Sequence, residues 1–226
     1  MTSTGLMLCE DLMNNEIGPL KLTDSGLYAL GIMDEFKVRH LPVVDKGKYV
    51  GLIAEDDILD LHIPENPLNS NKLNLQNPLV LPLQHAYSAV GLMDELAITL
   101  LPVVEQDNTY RGYIGLPELV HGLSDILTFH EPGGLLILEM PKRDYSLSEI
   151  AHIVEGNDAK IVSSYVHTHE ESTRIEVTLK INLHDLSPII SAFERHQYII
   201  KASYHQSSES DDIRDRFDNF MRYLNM

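Results

Sequence analysis

Two closely related sequence stretches occur in this chain of 226 residues, and this duplication constrains the fold more than any other feature. Residues 33–44 read MDEFKVRHLPVV, and residues 93–104 read MDELAITLLPVV, 60 positions later. One inserted residue in the second copy then places GLI at 51–53 over GYI at 112–114. Self-similarity at a fixed period indicates a repeated structural unit, so we expect two copies of one fold.

Each copy reads as a short extended run, a helix, two strands joined by a polar turn, and a second helix. Apolar residues recur at helical spacing before each LPVV phrase, and LPVV itself is β-branched and too short for a helix. Because Pro42 has no backbone N–H, we expect it at the first residue of its strand. Residues 62–74 are rich in Pro and Asn, which predicts a linker between the copies.

The repeat ends near residue 128, and a different pattern begins. Strand and helix signals follow in the order β-α-β-β-α-β, with Ser146 and Glu149 forming a predicted capping box at the first helix. In the third strand, residues 175–181 alternate between apolar and polar, so one face should pack on helices while the other is polar or meets another sheet. This order predicts the split-βαβ, or ferredoxin-like, arrangement.

Composition excludes several classes of protein. The hydrophobic fraction of 43% and the charged fraction of 23% are typical of a folded chain. A formal net charge of -17 disfavours nucleic acid as a partner, because phosphate binding needs a concentrated Lys/Arg surface. No apolar run approaches the roughly 18 to 20 residues that cross a bilayer. The single Cys9 excludes an intramolecular disulfide framework, so we expect a cytoplasmic protein without a membrane partner.

Two longer stretches carry a family resemblance. HLPVVDKGKYVGLIAEDDIL at 40–59 and LLPVVEQDNTYRGYIGLPELV at 100–120 resemble the cystathionine-β-synthase (CBS) domain, which occurs in tandem as a pair called a Bateman module. The resemblance covers about residues 6–124. Residues 134–206 resemble an ACT domain, a small-molecule-sensing ferredoxin-like fold. The whole order is similar to the acetoin-utilisation-type CBS proteins of bacteria.

The expected fold class is therefore α+β or α/β, with a CBS-domain pair followed by a ferredoxin-like (ACT-like) βαββαβ domain. The expected segments are 1–62 for the first CBS repeat, 63–74 for the linker, 75–128 for the second repeat, 129–206 for the ACT-like domain and 207–226 for a C-terminal amphipathic helix. The stripe on that helix consists of Ile213, Phe217, Phe220 and Leu224. It should dock on this chain or on a second copy, and a free partner-binding helix is the alternative.

The resemblance implies a regulatory protein that needs no cofactor and binds an adenosine nucleotide: AMP, ADP, ATP or S-adenosylmethionine. In the family, a Gly-x-hydrophobic-Thr/Ser-x-x-Asp stretch places a hydroxyl near the ligand and a carboxylate on the ribose hydroxyls, while short apolar residues clamp the base. In the first copy Asp57 keeps the carboxylate and Ala54 replaces the hydroxyl. Ile53 and Pro42 complete the apolar part of this predicted site.

The second copy departs further from the family pattern. Gly115 stands at the hydroxyl position and the longer Glu118 at the carboxylate position, with Ile114 beside them. We therefore expect a second, degenerate site.

Basic residues just before Leu-Pro often contact phosphate in the family. Arg39 and His40 hold those positions in the first copy, whereas Thr99 and Leu100 replace them in the second. A guanidinium offers paired donors to phosphate that an uncharged pair cannot supply. A polyphosphate ligand should therefore depend on the first copy. The alternative is that Arg39 and His40 cap a solvated helix end, where cations are favourable.

Other candidate sites have less behind them. Lys142 and Arg143 lie where ACT domains often bind an effector, and could pair its carboxylate, but the loop lacks the glycine frequent in amino-acid-binding members. His167 and His169 could bind zinc, although polar histidines at a strand end explain them better, so we expect no metal site. Neither a nucleophile elbow nor a phosphate-binding Gly-rich loop occurs, so we expect no enzyme.

Two functions remain open. The first is a homodimeric nucleotide sensor that signals to an unidentified downstream protein. The second is a scaffold for interaction or dimerisation whose CBS sites have degenerated and no longer bind a ligand.

Overall fold

The computed structural model describes residues 7–70, 73–168 and 172–204. The chain divides into two compact units between Leu123 and Ser124. The segment boundaries expected above remain predictions. The expected C-terminal helix and His169 lie outside the described residues.

The first unit contains the duplicated fold. Its helices and strands, in chain order, are β1 (Leu20–Lys21), α1 (Gly26–Phe36), β2 (His40–Asp45), β3 (Lys48–Ala54), α2 (Glu55–Leu59), α3 (Ala86–Leu96), β4 (Leu100–Val104), β5 (Tyr110–Gly115) and α4 (Leu116–Ile126), which continues past the boundary at Leu123. Short 3-10 turns occupy Cys9–Leu12 and Leu68–Ser70. The expected order of elements is confirmed, apart from the short run at residues 80–83, where only an isolated bridge from Val80 to Val103 forms.

The two copies share their strand register and the boundaries of their first helices, α1 and α3, whereas α2 has 5 residues and α4 has 11. Val43 pairs with Gly51 in β2–β3, and Val103 pairs with Gly112 in β4–β5, with a register shift directly after each. Ser25 caps α1 by accepting a hydrogen bond from the N–H of Tyr28, and the residue 60 positions later, His85, caps α3. The duplication seen in the sequence is therefore a duplication of the fold.

The expectation for Pro42 was wrong. It is the third residue of β2, where it pairs with Leu52, and its counterpart Pro102 is the third residue of β4. In β4 the missing N–H leaves no bond unmade, because Val80 donates to the carbonyl of Pro102 at 3.0 Å and accepts from the N–H of Val104 at 2.9 Å. In α4, Pro117 is the second helical residue, where its missing N–H leaves no intrahelical bond unmade.

The segment that precedes each copy packs against the other copy. Asn14 exchanges two main-chain bonds with Tyr113 of β5, at 2.7 and 3.0 Å. Gln76 exchanges two with Leu52 of β3, at 2.8 and 3.1 Å. Leu68, inside the expected linker, is fully buried. The two copies are therefore interleaved within a single hydrophobic core.

The second unit has the ferredoxin-like topology expected from the sequence. Its elements are β6 (Gly134–Pro141), α5 (Leu147–Glu155), β7 (Ile161–Thr168), β8 (Arg174–Ile181), α6 (Ser187–Arg195) and β9 (Ile199–Tyr204), with a 3-10 turn at Lys142–Asp144. The strands lie in the order β7-β8-β6-β9, and every neighbouring pair is antiparallel. Ser146 forms its half of the predicted capping box, since its hydroxyl accepts a hydrogen bond from the N–H of Glu149, whereas the carboxylate of Glu149 accepts one from the phenol of Tyr198.

The two faces of this sheet differ less than the alternation predicted. The apolar residues of β8 are buried. Thr178 and Lys180, which alternate with them, are buried as well, with only 6% and 7% of their surface exposed. The segment around Leu127 covers part of this face. The carbonyl of Leu127 accepts a hydrogen bond from the hydroxyl of Ser163, and Ser163 pairs with Lys180 across the sheet. The second face of the sheet is thus partly covered by the chain itself.

Candidate functional site

The carboxylate of Asp57 lies at the start of α2, next to the end of β3. Its Oδ2 accepts a hydrogen bond of 3.3 Å from the N–H of Ala54, which fixes the carboxylate at the helix N-terminus. Its Oδ1 accepts a bond of 3.4 Å from the side-chain amide of Asn74. Each oxygen holds one long hydrogen bond and has a further lone pair for another donor.

Arg39 lies beside this helix start. Its carbonyl accepts a hydrogen bond from the N–H of Glu55 at 2.9 Å. Its guanidinium is 3.4 Å from the carboxylates of both Glu55 and Asp56, and the side chain is 62% exposed. Ion pairs this exposed contribute little to stability, so the guanidinium can exchange these partners for a ligand anion. Lys37, and not Arg39, occupies the C-cap of α1.

His40 connects the two copies of the fold. Its Nδ1 lies 3.2 Å from the hydroxyl of Thr99 and accepts a 3.3 Å bond from the N–H of the same residue. The hydroxyl of Thr99 in turn accepts from the N–H of Arg39. Burial and the charge of Arg39 lower the pKa of the His40 imidazole, against the opposing charges of Asp56 and Asp57. Since Nδ1 accepts a hydrogen bond, the neutral imidazole carries its proton on Nε2.

The apolar residues of the predicted first site lie beneath these polar groups. Ile53 is fully buried and Pro42 is buried, so both side chains pack in the interior of the unit. His40 pairs directly with Ala54 across β2–β3, which brings the segment 39–40 next to the segment 54–57. The structure therefore brings together the predicted residues of the first copy.

The predicted residues of the second copy also lie together, but they are arranged differently. Ile114 and Gly115 are buried at the end of β5, and Glu118 lies in the first turn of α4. The carboxylate of Glu118 accepts a hydrogen bond of 2.7 Å from the side-chain amide of Asn14. This bond is far shorter than its counterpart between Asn74 and Asp57.

Sequence reasoning missed the two asparagines. Asn14 and Asn74 are 60 positions apart, the same offset as the repeat, and each reaches the acidic residue of the opposite copy. The offset was the available signal. The offset does not reveal that each segment packs against the opposite copy, because that arrangement depends on the tertiary structure.

In the second unit, Lys142 and Arg143 lie in the 3-10 turn after β6. Together with Arg174 they line an open cavity of about 700 Å³. Arg143 is paired with Asp144 at 3.4 Å, and Arg174 is paired with the carboxylate of Glu139. Sequence reasoning missed Arg174, because only the antiparallel pairing of β6 with β8 places it opposite Pro141.

Across residues 7–70, 73–168 and 172–204, no group of three or more His, Cys, Asp or Glu side chains is placed to hold a metal ion. In the same described ranges, no helix has both the length and the apolar character to cross a membrane.

Comparison with known protein families finds a match to part of the chain. Residues 9–63, in the first copy, match the CBS domain family. The second copy repeats its strand register and helix caps, as described above, and the chain therefore carries a pair of such units followed by a ferredoxin-like unit.

Several solved structures are similar to the chain. A CBS domain pair/ACT domain protein from Thermotoga maritima is 20% identical, with 54% of this chain and 99% of that chain covered and a TM-score of 0.48. A putative acetoin utilization protein from Vibrio cholerae is 24% identical, with 56% and 96% covered and a TM-score of 0.48. CBSX2, determined in complex with AMP, is 23% identical, with 53% and 98% covered and a TM-score of 0.46. Each match spans about half of this chain.

Proposed function

We propose that this chain is a regulatory protein that senses an adenosine nucleotide in the first cleft of its CBS pair, whose residues are Arg39, His40, Ala54 and Asp57. One observation carries the proposal: the segment 39–40 lies against the segment 54–57, so the exposed guanidinium of Arg39 and the half-buried carboxylate of Asp57 lie at the same strand end. AMP, ADP, ATP and S-adenosylmethionine are the candidate ligands, and no cofactor is required.

The chemistry of the first cleft suits a nucleotide. The free lone pairs of Asp57 can accept both hydroxyls of a ribose cis-diol. Arg39 can donate paired hydrogen bonds to a phosphate once it exchanges its exposed partners Glu55 and Asp56. The buried Ile53 and Pro42, on the paired strands β3 and β2, give these polar groups a rigid apolar support. Opposite charges at the two ends of the cleft would orient the ligand.

A route from ligand to protein also exists. Arg39 and His40 both hydrogen-bond to Thr99, so a ligand that moves Arg39 acts on the contact between the two copies. We propose that this contact transmits occupancy to a downstream protein, without catalysis by the chain itself. We place this activity in the cytoplasm, where the single, buried Cys9 stays reduced.

Calorimetric titration of the full chain with AMP, ADP, ATP and S-adenosylmethionine tests the proposal. We expect saturable binding of at least one of them, and AMP should bind more tightly than adenosine because Arg39 contacts its phosphate. The difference should shrink with rising salt, since the guanidinium is exposed. Absence of heat for all four ligands, together with no shift in the thermal unfolding temperature, would refute a nucleotide sensor.

The alternative is a scaffold that binds no ligand. The absence of a side-chain hydroxyl at Ala54 and Gly115 favours it, because the family pattern places a hydroxyl near the ligand. A scaffold requires only the interleaved core and an assembly surface. It therefore predicts no heat of binding with any of the four ligands.

We further propose that the chain forms a homodimer through β7. Among the described residues, β7 pairs with β8 alone and forms one edge of the sheet. Its exposed residues include Tyr165 and Val166, at 50% and 41%, and its sequence contains neither Lys nor Pro. Such an unprotected edge is suited to pairing with another strand. The opposite edge, β9, carries Lys201 and a register irregularity, both of which discourage pairing.

Light scattering on V166K tests this edge. We expect the wild-type chain to have the mass of a dimer and the variant that of a monomer, because a lysine on an edge strand opposes pairing. I199K is the matched control, since Ile199 is 53% exposed on the opposite edge and its variant should remain dimeric. A dimeric V166K variant or a monomeric wild-type chain would rule out β7 as the interface.

For the second unit we propose a weaker effector site at Lys142 and Arg143. The support is the cluster of three cations that they form with Arg174 around one open cavity. An effector carboxylate is the chemistry that such a cluster accepts.

A further inference from the structure

The second cleft, formed by Asn14, Tyr113, Gly115 and Glu118, differs from the first in how its carboxylate is held. Oε1 of Glu118 accepts a 2.7 Å hydrogen bond from the amide of Asn14. Oε2 lies 2.7 Å from the position that a Cβ on Gly115 would take. The carboxylate is therefore folded back over the glycine, in space that only a residue without a side chain leaves open.

The first cleft has no such arrangement. Ala54 replaces the glycine and has a Cβ, and Asp57 is one methylene shorter than Glu118. Both hydrogen bonds to Asp57 are long, at 3.3 and 3.4 Å, and its partner Asn74 is exposed. A ribose can compete for this carboxylate more easily than for one held at 2.7 Å.

Asn14 is also fixed more firmly than Asn74. Its main chain exchanges two hydrogen bonds with Tyr113, and its side-chain oxygen accepts from the N–H of Glu16 at 2.9 Å. Both ends of its amide are thus engaged, by Glu16 and by Glu118. The side-chain amide of Asn14, which donates to Glu118, is therefore held in place by the surrounding backbone.

The charge of the second cleft opposes a phosphorylated ligand. Burial raises the pKa of the Tyr113 phenol, and the nearby negative charges of Glu118 and Glu16 raise it further, against a hydrogen bond from the N–H of Ile17. The positions of Arg39 and His40 are held here by Thr99 and Leu100, which carry no charge. The carboxylates of Glu118 and Glu16 repel a phosphate.

We propose that Glu118 closes the second cleft from within, and that the pairing of glycine with glutamate there, against alanine with aspartate in the first copy, decides which cleft binds nucleotide. The chain then binds one nucleotide, and its second copy serves as a structural counterpart. This inference rests on the proposed function, because it assumes that the first cleft is a nucleotide site.

Exchanging the two pairs tests the proposal. G115A/E118D gives the second cleft the residues of the first, and the new Cβ displaces only the flexible end of an acidic side chain. The probe is adenosine, which needs no cation. We expect equilibrium dialysis to show one adenosine per wild-type chain and two per G115A/E118D chain. In the D57A background, the same two changes should restore one binding event. Two adenosines on the wild-type chain, or no gain in G115A/E118D, would overturn the proposal.

A second measurement needs no ligand. By NMR, the side-chain amide protons of Asn14 should exchange slowly in the wild-type chain and at least tenfold faster in G115A, while those of Asn74 exchange fast in both. Slow exchange at Asn14 with no binding by the wild-type chain would reject the nucleotide function and retain the closure by Glu118. Fast exchange at Asn14 in the wild-type chain would reject the closure itself.

Discussion

Replacing Asp57 by alanine is expected to weaken the binding of AMP by about 100-fold. In the proposed pose the carboxylate accepts two hydrogen bonds from the ribose hydroxyls. A hydrogen bond to a charged group contributes about 1.5 kcal/mol or more, and 1.4 kcal/mol corresponds to a factor of ten in affinity. Calorimetric titration of wild type and D57A with AMP measures the ratio.

The control for this variant is its neighbour. Asp56 is 77% exposed and pairs with Arg39, so D56A removes a competitor of the phosphate and should not weaken AMP binding. A deoxy ligand gives a sharper readout: wild type should bind 2′-deoxy-AMP about tenfold more weakly than AMP, and D57A should hardly distinguish them. If D57A discriminated as strongly as wild type, another group would be the one that contacts the ribose.

The second large effect is expected at Gly133, just before β6. Its φ of +145° is a conformation that residues with a side chain rarely adopt, and a Cβ there would lie 2.0 Å from the carbonyl oxygen of Ile181. That oxygen belongs to the backbone of β8, so the strand end itself must move. We expect G133A to lower the free energy of unfolding of the second unit by about 2 kcal/mol or more.

Urea unfolding of the full chain, followed by signals from the second unit, measures this loss. The control is G31A in α1, where nothing lies within 4 Å of the added Cβ. Alanine in a helix interior is preferred over glycine by roughly 0.5 to 1 kcal/mol, so this variant should be slightly more stable than wild type. An unchanged midpoint for the second unit in G133A would show that the turn accommodates a side chain.

The candidate site shows where sequence reasoning reached its limit. Asp57, Arg39 and His40 were found from the repeat and the family pattern, since they lie within a few residues of recognisable strands. The closure of the second cleft by Glu118 was not predicted, although the sequence showed that Glu118 departs from the family pattern. A longer side chain can be read from the sequence, but the direction in which it folds depends on Asn14, 104 residues away along the chain.

Local sequence patterns were enough to predict the duplication, the type and order of the elements, and the ferredoxin-like topology of the second unit. These follow from local patterns: periodicity, turn residues and caps such as Ser146 act within a few residues. Tertiary structure alone decided that the leading segments cross between the copies, that Pro42 lies inside a strand, and that Lys180 is buried. Each depends on partners distant in sequence, and the packing free energy of such contacts overrides the local preference.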